Sequence, residues 1–228
     1  MRTRIAFYLY IGLILRLVAY QVSARHLALA AAAPEAPERK VSNNAVISER
    51  DPKIRIEVPK SARYVGADRW VLYGVADCEI HGYVDADDPK NVQRLYWIQF
   101  EQYIPEKPAL HHNYDSPRHT RIGGLDFYVD TWPRANGAET RAGSDREHIE
   151  ALVKAKGYKM PAGMAYVRLV HLLDAEKRKE LMIIYGEALP AGVNAADLDE
   201  KGKDRESQWP AIEQQVIQGA QQRIKITQ

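Results

Sequence analysis

The sequence predicts an α+β domain. It has an antiparallel sheet of about five to six strands, including two β-hairpins, with two amphipathic helices packed on one face and an N-terminal apolar leader helix in front. Three observations predict it. Stretches of period-2 alternation recur between residues 54 and 188, separated by polar turns. Strands joined by such short turns pair antiparallel. Two segments, opening at Ser144 and near Pro210, instead repeat apolar residues at helical spacing and so would cover the sheet.

Taken in order, Ile54, Ile56 and Val58 alternate with charged residues and make a short strand stopped by Pro59. Residues 69–84 read as one long strand, with Trp70, Leu72, Ala76, Cys78, Ile80 and Val84 on its core face. The turn Asp85-Ala86-Asp87-Asp88-Pro89 joins it to a strand over 92–104, whose Tyr96, Ile98 and Phe100 share a face. Pro105, Pro108 and Pro117 make residues 105–120 a loop, and 122–132 is the next strand, closed by Pro133. Ser144 and Glu147 have capping-box spacing at the head of a helix that Gly157 stops. A second hairpin, 165–173 with 180–188, flanks a charged turn. The last helix carries Ile212, Val216, Ile217, Ala220 and Ile224, with Pro210 in its first turn.

Residues 1–33 stand apart. Arg2 and Arg4 precede an apolar run that Arg16 interrupts, and no acid occurs before Glu35. A basic start followed by such a run is the arrangement of a secretory signal, and Val22-Ser23-Ala24 supplies a small-residue cleavage site. The competing reading is an uncleaved anchor over residues 5–24, about the length a bilayer requires. Arg16 opposes it, because an Arg near the centre of a span costs roughly 2.5–3.5 kcal/mol. The chain therefore divides into a signal peptide or anchor (1–33), a Pro- and Ser-containing linker (34–53) and one α+β domain (54–228). It is expected to be exported, periplasmic or secreted, or held at a membrane only through that leader.

Composition excludes some classes. The chain holds 32 Lys and Arg against 30 Asp and Glu, and four of the arginines but no acid lie in the leader, leaving 28 against 30 behind it. The mild basicity is thus not a nucleic-acid signature. A single cysteine, Cys78, rules out an internal disulfide. No phosphate-binding glycine loop, G-x-S-x-G, H-E-x-x-H or paired C-x-x-C is present, so the sequence points to no cofactor, no metal and no particular reaction.

Three weaker features remain. Alternation sets Tyr73, Asp77, Glu79, His81 and Tyr83 opposite the core face of their strand, with Trp97, Gln99, Glu101, Asp126, Tyr128 and Asp130 on the neighbouring strands. Tyr73, Glu79, Trp97, Gln99, Glu101, Asp126, Tyr128 and Asp130 are the candidate ligand-binding residues, since aromatics among acids and amides suit a small molecule with apolar faces and polar edges. The same face is open to a plainer reading, because antiparallel sheets often wet one side. The loop holding His111, His112, Asp115 and His119 has metal-ligating residue types, but adjacent histidines on an irregular loop preorganise nothing and a solvated loop is expected. The Arg141–His148 stretch reads as a helix cap, not an anion site.

The expected function is binding of a small molecule or protein partner through the polar-aromatic face. The alternatives are a hydrolase using paired carboxylates drawn from Glu79, Glu101, Asp126 and Asp130, or a structural envelope-associated protein. Mass spectrometry of the native protein tests the leader. A cleaved signal gives a mature N-terminus beyond residue 20, and an intact Met1 leaves the anchor.

Overall fold

A computed structural model describes residues 36–87 and 90–228. The leader, and with it the choice between signal and anchor, lies outside the described residues. No described helix is long and apolar enough to cross a membrane.

The α+β expectation is overturned: the domain is mostly β, with two antiparallel sheets of four and seven strands. The strands are β1 (Lys40–Ser42), β2 (Ala45–Ser48), β3 (Ile54–Glu57), β4 (Arg63–Leu72), β5 (Ala76–Ala86), β6 (Val92–Tyr103), β7 (Arg118–Ile122), β8 (Leu125–Ala135), β9 (Gly163–Leu172), β10 (Lys179–Ala188) and β11 (Lys225–Thr227). The helices are α1 (Asp145–Ala155) and α2 (Arg205–Arg223). The large sheet runs β4-β5-β6-β10-β9-β8-β7 and the small one β1-β2-β3-β11.

The extra strands have identifiable causes. The segment read as one strand over 69–84 is two, because Tyr73 (φ 47°) and Gly74 (φ 71°), both left-handed, are the central residues of a turn that Val75 N closes by donating to Leu72 O at 2.9 Å. Gly123 (φ 58°) and Gly124 (φ 87°) take the same positions between β7 and β8. Residues 34–53, expected to be a linker, contribute the β1–β2 hairpin turned at Asn43 (φ 52°). β11 is only three residues long and escapes any periodicity argument. The two hairpins expected from their polar turns, β5–β6 and β9–β10, are present, and β10 pairs with β6 to join them.

The expectation that both helices share one face is also corrected. On one side of the large sheet, Tyr83, Tyr96, Ile98, Phe127, Leu169, Ile183 and Tyr185 pack on Val46, Ile56 and Ile226 of the small sheet and on Trp209, Val216 and Ala220 of α2. On the other side, Ile80, Val84, Leu95, Trp97, Val170 and Ile184 pack with Ile149 and Val153 of α1. The sheet is therefore buried on both sides. Alternation cannot then identify a core face, and the sequence assignment slipped by one residue. Tyr96, Ile98 and Phe100 lie opposite Tyr83, His81 and Glu79, not with Cys78 and Ile80.

Local signals place both helices. Ser144 caps α1 by accepting from the Glu147 amide, and the Glu147 carboxylate accepts from the Gly143 amide at 2.6 Å. Gly82 gives α1 its seat, since a Cβ there would come within 2.6 Å of Ile149 Cδ1 and 2.7 Å of Val65 Cγ2. Pro210 lies inside α2, beyond the first turn expected for it.

Gly123 joins the sheets. It is left-handed, and a Cβ on it would collide with the backbone of Ile226 in β11. Gly123→Ala should therefore destabilise the domain by ~2 kcal/mol or more in urea unfolding, through strain and loss of the β11 contact. A change below about 0.5 kcal/mol, within ordinary surface scatter, would sink this reading.

Candidate functional site

The eight candidate residues separate. Tyr73 sits in the β4–β5 turn, 45% exposed, with the Arg141 guanidinium 4.0 Å from its ring centroid. Glu79 faces the small sheet. Trp97, Gln99 and Glu101 face the opposite way, toward α1, in register with β10 and β5. Asp126, Tyr128 and Asp130 alternate along β8 on that same side, but Asp126 is at an exposed end, 3.8 Å from Arg121. The wetted groove expected from alternation is thus mostly covered. Gln99 is fully buried and Trp97 is 3% exposed.

Beneath α1 and the loop before β7, the side chains form a connected polar network. Trp97 Nε1 donates to Gln99 Oε1 at 2.9 Å, and Gln99 Nε2 donates to Glu101 Oε2 at 3.2 Å. Glu180, which sequence reasoning missed, is the cross-strand partner of Glu101, and Cys78 flanks Glu101 on the other side. His112 Nδ1 is 3.0 Å from Glu180 Oε2, and the Tyr114 hydroxyl donates to the same oxygen at 2.7 Å. The His112 ring packs 4.5 Å from that of Tyr103. Asp130 accepts from Arg168 at 2.6 Å and from Ser116 at 2.6 Å, so it is neutralised. The Tyr128 ring lies 5.7 Å from Tyr114 and 4.9 Å from His119.

Two groups of donor atoms converge here. One atom each from Glu101, His112 and Glu180 lie within 4.8 Å of one another, as do one each from Cys78, Glu101 and Asp145. Burial, reinforced by Asp145, pushes the Glu101 carboxyl up to about 7. Burial and the neighbouring Glu101 push Glu180 up to about 8. Burial raises Asp145 and Cys78 and lowers His112 to about 4. The histidine loop is therefore divided: His112 is 5% exposed and joins the acids, while His119 lies in β7. No local signal in the sequence links His112 to Glu180, since only the β6–β10 pairing brings Glu180 beside Glu101.

On the small-sheet side, Glu79 and Phe100 border a cleft of about 310 Å³. Glu79 Oε1 accepts from the Arg39 amide and from His81 Nε2, both at 2.8 Å. Its Oε2 accepts from the Glu38 amide at 2.8 Å and from Arg39 Nη1 at 3.0 Å. Glu79 is thus spent on fastening residues 38 and 39 to the sheet. Glu38 itself meets three guanidinium groups: Arg50 at 2.9 Å, Arg69 at 3.0 Å and Arg39 at 3.9 Å. Arg69 also pairs with Asp77 at 2.7 Å, and Arg39 lies 4.3 Å from the centroid of the Phe100 ring.

One further arrangement went unforeseen. Asp68 Oδ2 is 2.7 Å from His148 Nδ1, and the His148 ring stacks on Trp70 at 3.9 Å. Asp68 therefore orients the His148 ring. The Ser144 side chain, however, is engaged in capping α1.

Burial alone would raise the Glu79 carboxyl, but its hydrogen bonds from His81, Arg39 and the two amides outweigh that and hold it at about 2. Because this value is below that of the unfolded chain, the stability it contributes is in place above pH 4.5 and is lost as the pH falls toward 2. Glu79→Gln should cost ~3 kcal/mol at pH 6, with the gap closing toward pH 2. A pH-independent gap would contradict the assignment. The chain matches no protein-family model, no curated protein and no solved structure.

Proposed function

We propose that this chain is a binding domain for a small anionic molecule, taken into the cleft that Glu79 and Phe100 border. The observation that carries the reading is the convergence of Arg39, Arg50 and Arg69 on the single carboxylate of Glu38. Guanidinium groups present planar forks of donors matched to carboxylate and phosphate oxygens. Two of them are preorganised: Arg39 by Glu79 and Phe100, Arg69 by Asp77. Glu38 is 32% exposed and acts as a resident stand-in for the ligand anion. A ligand carboxylate or phosphate exchanges with it, like charge for like charge, so the cleft never holds uncompensated arginines. The cleft volume of about 310 Å³ suits a small polar compound rather than a polymer. Export through the leader belongs to the same reading and would place this cleft outside the cytoplasm.

Hydrolysis is the second reading, and one observation favours it. Glu101 and Glu180 are cross-strand partners, which puts two carboxyls with raised pKa values side by side on the opposite side of the sheet from the anion cleft.

Calorimetric titration with di- and tricarboxylates and with inorganic phosphate tests the binding proposal. Glu38→Gln removes the competing carboxylate and should tighten binding by about 10-fold, because a tethered competitor acts at millimolar effective concentration. Arg39→Ala should abolish binding. Equal affinity in Glu38→Gln and the parent chain would overturn the exchange mechanism.

A further inference from the structure

The cluster on the α1 side of the sheet is short of positive charge. Glu101, Glu180 and Asp145 are three carboxyls gathered around one strand pair, and among the described residues neither Glu101 nor Asp145 makes an ion pair with a Lys or Arg. Arg168 is committed to Asp130 at 2.6 Å. We propose that Glu101, His112 and Glu180 bind one divalent transition-metal cation, Zn²⁺ foremost, with Asp145 available beside Glu101. This site is separate from the guanidinium cluster and does not depend on it.

Four observations converge. First, the donor atoms of the three residues lie within 4.8 Å of one another. Ligands at ~2.1 Å from a shared ion are roughly 3–4 Å apart, so small side-chain rotations close the site. Second, His112 is 5% exposed and turns Nδ1 to Glu180 Oε2 at 3.0 Å, so a buried imidazole nitrogen already faces the acids. Asp145 Oδ1 is buried and unpartnered.

Third, the ligands have outer support of the kind that fixes metal-binding carboxylates. Tyr114 holds Glu180, and Gln99, itself held by Trp97, holds Glu101. Fourth, Glu101 and Glu180 stand on paired strands, so their separation is set by the sheet. An imidazole among carboxylates selects first-row divalent ions over Ca²⁺ and Mg²⁺, which prefer all-oxygen shells.

The test uses the full chain stripped with chelator and then offered Zn²⁺ or Co²⁺ alone. We expect one ion per chain by equilibrium dialysis, a rise in melting temperature, and visible Co²⁺ absorption from a low-coordinate O/N site. Glu101→Gln, Glu180→Gln and His112→Gln should each weaken binding by about 10-fold or more. His111→Gln and His119→Gln should leave it unchanged. No stoichiometric binding, or a loss that follows His111 or His119, would overturn the proposal. Should a ligand variant fail to fold by circular dichroism, anomalous scattering from Zn²⁺-soaked crystals of the parent chain decides. A peak among Glu101, His112 and Glu180 supports the site, and a peak elsewhere or none refutes it.

Discussion

Because the seven-stranded sheet is covered on both sides, by β1–β3, β11 and α2 on one and by α1 and the loop before β7 on the other, each buried polar side chain on its strands must find its partner inside the protein. Left alone, such a group costs about 1–3 kcal/mol. The domain meets this demand repeatedly with neighbours two residues apart on one strand. Glu79 takes His81, Tyr185 donates to Glu187, and Trp97, Gln99 and Glu101 form a chain of three. Period-2 geometry makes such pairs natural, since residues i and i+2 share a face.

Carboxylates under this constraint have two fates. Glu79 is nearly as deeply buried as Glu180, yet it stays ionised because four donors surround it. Tyr96 donates to Asp85 at 2.7 Å, and Arg168 neutralises Asp130. Glu101 and Glu180 are the exceptions. They face each other across a strand pair, share Asp145 as a like-charged neighbour, and accept hydrogen bonds from the neutral Gln99 and Tyr114, while the Arg168 charge acts on Glu180 without offsetting its burial. One side of the sheet spends Glu79 on tying down the chain, and the other leaves Glu101 and Glu180 without an ion pair to Lys or Arg among the described residues. That asymmetry gives Glu79 a structural role and leaves the donor atoms of Glu101, Glu180 and His112 gathered on the other side.

How far the sequence carried depends on the range of each interaction. The β5–β6 and β9–β10 hairpins, the Ser144 cap and the stop at Gly157 are local and were readable from a few adjacent residues. The turns at Tyr73-Gly74 and Gly123-Gly124 are equally local, but their residues sit inside apolar alternation and were absorbed into longer strands. Face assignment failed for another reason. When both faces are dry, Tyr83 and Val84 are equally buried, and alternation loses its meaning. Trp97, Gln99, Glu101, Tyr128 and Asp130 were correctly grouped on one face, because they follow one another at even spacing on strands of the same sheet. Glu79 was misplaced with them by the one-residue slip. Glu180 and His112 were out of reach, since the contact between them depends on the β6–β10 pairing and on a loop folded back over it.

The small sheet is assembled from both ends of the described chain. β1, β2 and β3 come from residues 40–57, and the strand that completes the row, β11, is residues 225–227, with Ile226 opposite Ile56. Its inner face meets the large sheet and α2, which precedes β11 directly. The hydrophobic layer between the sheets therefore cannot close until residues 225–227 have joined residues 40–57. Pairings separated by so much of the chain carry a high loop-closure cost, which the layer must offset when it forms. Three residues, Lys225–Thr227, thus set the point at which the domain becomes compact.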